Sequence, residues 1–179
     1  MKLKSKYFSI RLLIVPFFIY LNYGCSAKEE QQNVPKGGLT MTNETPLQIA
    51  TRWIDAYNSH EPDTIIALYD ENAKNTQLPW GKTIEGREAM RSTFVNVFQA
   101  FPDIHLESEN LIEQDSWVVI EWRFGGTMKG KFAGHAPNGN KFSMNGCEIF
   151  KIVDGKIKIQ RGYWDKTTMF EQLQLTPEN

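Results

Sequence analysis

The chain has 179 residues, 41% hydrophobic and 12% aromatic, with 20 basic against 21 acidic side chains. A net charge of -1 argues against a nucleic-acid partner, and two cysteines, Cys25 and Cys147, cannot supply a disulfide framework. Residues 44–176 are enough for one domain with one core.

In chain order, Lys2, Lys4, Lys6 and Arg11 precede an apolar run from Leu12 to Leu21. That run falls short of the ~20 residues that span a membrane, and basic residues before a short apolar stretch form a secretory leader, residues 1–24. Leu21-Asn22-Tyr23-Gly24-Cys25 resembles a bacterial lipobox. The resemblance implies cleavage before Cys25, lipidation of Cys25 and anchoring to a bacterial membrane in the cell envelope, at the periplasm or cell surface. An ordinary leader with an incidental cysteine is the other reading. Loss of the leader's four basic residues takes the net charge to about -5. Residues 25–43, polar and carrying Pro35, Gly37 and Gly38, form a flexible tether.

Pro46 to Ser59 repeats apolar residues at helical spacing behind Thr45-Pro46. His60-Glu61-Pro62-Asp63 interrupts it, and Asp63 is expected to cap a short helix, Thr64 to Tyr69. A strand over Ala73 to Leu78 follows, then a helix from Arg87 to Ala100 with Ala89, Met90, Phe94, Val97 and Phe98 on its apolar side. Beyond Phe101-Pro102-Asp103 come strands: Ile104 to Gln114, Trp117 to Thr127, a segment at Lys129 to Gly134, and a hairpin from Met144 to Asp165. Thr167 to Leu175 closes the chain as a helix. Helices followed by antiparallel strands indicate an α+β domain, with helices covering one face of a curved sheet.

Asp154-Gly155 suits a two-residue turn with φ > 0 at both positions. Counting outward from it places Ile152 opposite Ile157, Phe150 opposite Ile159, Glu148 opposite Arg161, Gly146 opposite Tyr163 and Met144 opposite Asp165 on the inner face. Lys151, Lys156, Lys158 and Gln160 then face water. Cys147 packs on that solvent side or against a second layer. The inner face is greasy near the turn and polar farther out, which calls for a use or a partner.

Gly86-Arg87-Glu88-Ala89-Met90, Phe101-Pro102-Asp103, Val118-Val119-Ile120-Glu121-Trp122 into Gly126-Thr127, Pro137-Asn138-Gly139 and Asp154-Gly155-Lys156-Ile157 ending in Tyr163-Trp164-Asp165 resemble, in order, the SnoaL-like polyketide cyclase family of the nuclear transport factor 2-like superfamily. The resemblance implies a cone-shaped α+β fold, with a curved, mostly antiparallel sheet packed on about three helices and a pocket between them. Homodimers through the sheet are frequent in that superfamily. It also implies chemistry without metal or cofactor, in which a pocket carboxylate shuttles a proton while an enolate attacks a carbonyl of the same substrate. That role falls on Asp165, which could equally be a helix cap.

Glu148 and Arg161 read either as a neutralising pair or as residues orienting a polar ligand. Tyr163 is a candidate oxyanion donor or a core phenol. Trp53, Tyr57, Trp80, Phe98 and Trp122 are candidate walls for a small, mostly apolar or aromatic ligand. Met128, also a candidate pocket residue, stands where many relatives carry a histidine, and His135, on a loop, is a substitute from another backbone position. No metal motif, phosphate loop or nucleophilic triad is present. Three functions remain open: an exported, lipid-anchored isomerase, cyclase or hydrolase; a non-catalytic binding or scavenging module; an envelope interaction protein.

Overall fold

The computed structural model describes residues 44–176. The expected leader, tether and lipidation site at Cys25 lie outside the described residues.

Helix α1 (Pro46–Asn58) starts where the sequence stops offering backbone donors a partner. Thr45 accepts from the Gln48 amide while the Gln48 side chain accepts from Thr45 N, a capping box, and Pro46 occupies the first helical turn. Ile49, Ala50, Trp53, Ile54, Ala56 and Tyr57 form its buried stripe. Helix α2 (Pro62–Ile66) begins earlier than expected, because Pro62 is preset for a first helical turn. Asp63 is not its cap; it lies inside the first turn and meets Arg91 Nε at 2.6 Å.

Strand β1 (Tyr69–Gln77) therefore starts four residues ahead of the expected Ala73. A 3-10 turn (Leu78–Trp80) ending on left-handed Gly81 leads to β2 (Lys82–Glu85), a short edge strand with no clear sequence signal. Helix α3 (Arg87–Ala100) buries Met90, Phe94, Phe98 and Ala100. Strands β3 (His105–Gln114) and β4 (Trp117–Thr127) follow, then β5 (Lys141–Val153), β6 (Lys156–Trp164) and helix α4 (Lys166–Leu173).

The six strands form one curved sheet in the order β2-β1-β6-β5-β4-β3. Neighbouring pairs are antiparallel except β1 and β6, which run parallel, so the first strand inserts beside the last. The architecture is the α+β arrangement expected, with the core between the helices and the concave face.

The segment Lys129 to Gly134 is not a ladder strand; it holds only an isolated bridge between Phe132 and His135. The amides of Lys129 and Gly130 both donate to Ala100 O at 2.9 Å, tying the chain to the end of α3, and a β-carbon at Gly130 would overlap the Gln99 carbonyl. Ala133 and Gly134 then turn the chain with φ of 44° and 79°. The Phe-Pro-Asp and Gly-Thr motifs meet nearby: Asp103 accepts from Thr127 N at 2.7 Å and from Thr127 Oγ1 at 2.6 Å. That junction joins the loop after α3 to the end of β4 and is structural.

Candidate functional site

The hairpin departs from the expected register, and the departure creates the site. Asp154 and Gly155 have φ of 52° and 70°, as a two-residue turn of this kind requires, and Ile152 lies opposite Ile157. The register then shifts by one, so Phe150 pairs with Gln160, Glu148 with Gly162 and Cys147 with Tyr163. One extra residue in β6 is a β-bulge, and beyond it every side chain of β6 changes face. Lys158, at the shift, is held by Asp70, Nζ to Oδ2 2.5 Å.

The expected Glu148–Arg161 pair is therefore absent. Arg161 pairs with Ile149 on the outer face, exposed, its guanidinium 5.9 Å from the Trp117 ring centroid. Tyr163 is likewise turned outward and 39% exposed. Gln160, expected in water, is 2% exposed. Asp165 ends β6 as the N-cap of α4, its carboxylate accepting from Thr168 N at 3.1 Å and Thr168 Oγ1 at 2.7 Å. Those bonds hold its carboxyl below the usual carboxylate range, opposite to what a proton acceptor at neutral pH needs.

Across the sheet, Leu111, Ile120, Glu148, Gly162 and Gln77 form one row on the inner face. Gly162 matters because a β-carbon there would overlap the Gln77 side chain, which crosses β6 at that point to reach Glu148. Gly146, one step along, has a similar function. A β-carbon there would come within 2.5 Å of Trp122 Cη2, so the bare backbone accommodates the indole. Two in-strand glycines thus let large side chains cross them.

Glu148 is 5% exposed and accepts three contacts from two amides. Gln160 Nε2 lies 2.9 Å from Oε2; Gln77 Nε2 lies 3.1 Å from Oε1 and 3.3 Å from Oε2. Burial pushes its carboxyl up to about 7, with the two amide donors pulling the other way. Behind Gln160, the Trp53 indole donates to Tyr69 Oη at 2.8 Å, and the Tyr69 hydroxyl donates to Gln160 Oε1. Behind Gln77, the Trp164 indole donates to Oε1 at 2.8 Å, and Asn75 Oδ1 accepts from Nε2 at 3.1 Å. The phenols of Tyr57 and Tyr69 are pushed up by burial and then by the Glu148 charge, so both stay neutral.

This group opens on a cavity of about 400 Å³, within the range of small-molecule sites. Trp53, Tyr57, Trp80, Trp122 and Glu148 line it as expected, joined by Phe94, Phe124 and Trp164. Trp80 is 38% exposed, within edge contact of Trp164 at 5.7 Å between centroids. The indole N–H of Trp122 has no acceptor among the described residues. Phe98 is not on the wall; it backs Tyr57 at 5.2 Å. Met128 is fully buried, its backbone bonded to Asn140 and Gly139, and does not reach the cavity. Arg161, Tyr163, Asp165 and His135 do not line it. Cys147 sits half-buried on the outer face, and burial pushes its thiol up.

Sequence reasoning missed Gln160, Gln77, Asn75, Tyr69 and Trp164 as site residues. The signal that could have found one of them, Gln77, is the strand-interior glycine at 162, where a close approach is the usual reason.

A concave sheet under helices, with an aromatic cavity around one buried carboxylate, defines a site of a size and chemistry that suit a small, mostly apolar molecule. The chain belongs to the SnoaL-like polyketide cyclase family, whose model matches residues 47–173. It is 27% identical over 131 residues to an aklanonic acid methyl ester cyclase of Streptomyces peucetius, covering 72% of this chain and 90% of the relative. A second such cyclase, from Streptomyces sp. (strain C5), is 26% identical over 71% of this chain and 80% of its own length. Among solved structures, the fold is similar to that of a candidate SnoaL-like polyketide cyclase from Jannaschia sp., TM-score 0.67 at 19% identity, covering 74% of this chain and 93% of that one. A protein with a ketosteroid isomerase-like fold from Catenulispora acidiphila, solved with trimethylamine, gives 0.63 at 20% identity, covering 72% and 94%.

Proposed function

We propose that this protein closes a ring in a small, mostly apolar keto-ester, with Glu148 rather than Asp165 moving the proton. One observation carries the reading: a carboxyl buried in an aromatic cavity and balanced between burial and two amide donors, so that it exchanges a proton near neutral pH. In the forward step the Glu148 carboxylate takes a proton from carbon next to a carbonyl. The C–H electron pair becomes the C=C bond of an enolate, and the carbonyl π pair moves to oxygen. The enolate carbon then attacks a second carbonyl of the same molecule, a C–C bond forms, and the resulting alkoxide recovers the proton from Glu148. The residues named need no redox partner for this sequence.

Aklanonic acid methyl ester, the compound in the names of the curated relatives, is the first substrate to assay. Purified protein is expected to convert it, or a shorter keto-ester of the same class, to the cyclic product. Thermal stabilisation by these esters with no product detected by mass spectrometry would instead identify a binding module.

The same proposal includes export and lipid anchoring at Cys25, supported by the leader and lipobox pattern of residues 1–25. Two acyl signals hold a protein at a membrane where one does not. The Cys25→Ser variant is therefore expected to leave the membrane fraction. Unchanged fractionation of that variant would reject the anchor.

A further inference from the structure

An indole N–H donates and cannot accept, a carboxylate accepts and cannot donate, and a primary amide must do one at each end. Those facts fix the polarity of both chains that end on Glu148. Because the Trp53 indole donates to the Tyr69 oxygen, the Tyr69 hydrogen points onward to Gln160 Oε1, and Gln160 must turn Nε2 toward Glu148. Because the Trp164 indole donates to Gln77 Oε1, Gln77 must also present Nε2. The Trp164 indole dictates the Gln77 assignment, and the ionised Glu148 carboxylate, which can only accept, dictates that of Gln160, which the Trp53–Tyr69 chain then supports.

Glu148 is thus surrounded by donors. Oε2 receives from both amides, whereas Oε1 receives from Gln77 alone, so Oε1 keeps the free lone pair. A proton arriving there finds no acceptor among the side chains in hydrogen-bond contact with Glu148. We propose that Trp53 and Trp164 are positioning residues that lock Gln160 and Gln77 with their N–H groups toward Glu148, so that a proton on Oε1 can be passed only to an acceptor oxygen of the bound molecule. The ligand class follows: a flat, apolar molecule with a carbonyl or alkoxide oxygen able to reach Oε1. Hydrocarbons of the same shape lack the atom that completes the site.

The other titratable groups around Glu148 leave this lock as the main control. Tyr57 on α1 and Tyr69 on β1 stay neutral, Cys147 lies on the opposite face of β5, and Lys82 is an exposed cationic lining residue.

This inference rests on Glu148 as the proton carrier, but its test reads the carboxyl itself and needs no substrate. The full chain is labelled with carboxyl-13C glutamate, and the Glu148 resonance is followed against pH. Wild type is expected to titrate near 7. Tyr69→Phe and Trp164→Phe each free one amide to turn its oxygen toward the neutral acid, raising the midpoint by about one pH unit. Met90→Leu, a buried core change away from the cavity wall, is expected to alter stability without moving the midpoint. An unchanged or lowered midpoint in both relay variants overturns the lock, whatever Glu148 does in turnover. If neither variant folds, wild-type protein decides. Contacts between the Gln160 amide hydrogens and the Glu148 methylenes should persist at pH 5 and pH 9, and a flip of that amide on protonation overturns the proposal.

Discussion

Glu148→Gln is expected to lower turnover of the keto-ester by about 10²- to 10⁴-fold, the usual worth of a positioned acid/base, with little change in KM. The substitution keeps volume and removes the exchangeable proton at the expense of one amide contact, so the aromatic walls that bind the ligand stay in place. The pH profile carries the sign. The free protein must hold Glu148 ionised to accept a proton, so kcat/KM should rise as pH climbs through about 7 and then level off. Glu148→Asp retracts the carboxyl by one methylene, and such a misplacement costs on the order of 10²-fold. Asp165→Asn is the matched control, because Asp165 caps α4 and does not line the cavity. It should leave kcat intact and lower the melting temperature by a few degrees at most. Full activity in Glu148→Gln together with loss of it in Asp165→Asn would return the role to Asp165.

Why the sequence pointed to hairpin residues that do not line the cavity has a physical answer. The signals that were legible are local ones: Thr45-Pro46 before an apolar stripe, Phe94 and Phe98 on one side of α3, and Asp154-Gly155 at the turn. Each is decided within a few residues, and each recurs in the structure. The bulge near Lys158 is different. Nothing in Lys156-Ile157-Lys158-Ile159 breaks alternation, and the extra residue is held from outside the hairpin, by Asp70 on β1. Since strand periodicity is two, that single residue turned Arg161 and Tyr163 outward and brought Gln160 inward. Placing β1 parallel to β6 was equally beyond local reading, because strands whose paired residues lie 85 to 88 positions apart in sequence carry no turn to align them. Gln77 reaches Glu148 only through that pairing, across Gly162. The candidate walls on α1, by contrast, were legible because a helical stripe facing a concave sheet lines whatever space remains.

The buried carboxyl proposed to move the proton should also cost stability, with a definite pH signature. Glu148 titrates near 7 when folded against about 4.5 in an open chain. Between those values the folded protein holds a proton that the unfolded chain has released, so the unfolding free energy falls as pH rises across the window. A difference of that size corresponds to about 3 kcal/mol, or roughly 10 °C in melting temperature for a domain of this size. Above about pH 8 the loss is nearly complete and the curve flattens. The acid side runs the other way: Asp63, Asp70, Asp103 and Asp165 are all held below the usual carboxylate range, by Arg91, Lys158, Thr127 and Thr168 respectively, and their contribution disappears as pH falls through their folded-state values. Stability should therefore peak on the acidic side of neutrality, near pH 5. Glu148→Gln removes the ionisation and should flatten the limb between pH 5 and pH 8, making the variant more stable than wild type at pH 8 despite one poorer amide contact. Chemical denaturation at pH 5 and pH 8 measures both differences. The same slope in wild type and variant would mean that Glu148 is not the group that titrates, and would remove the basis for assigning it the proton. A flattened limb together with lost turnover would mean that one buried carboxyl both limits stability and carries the reaction.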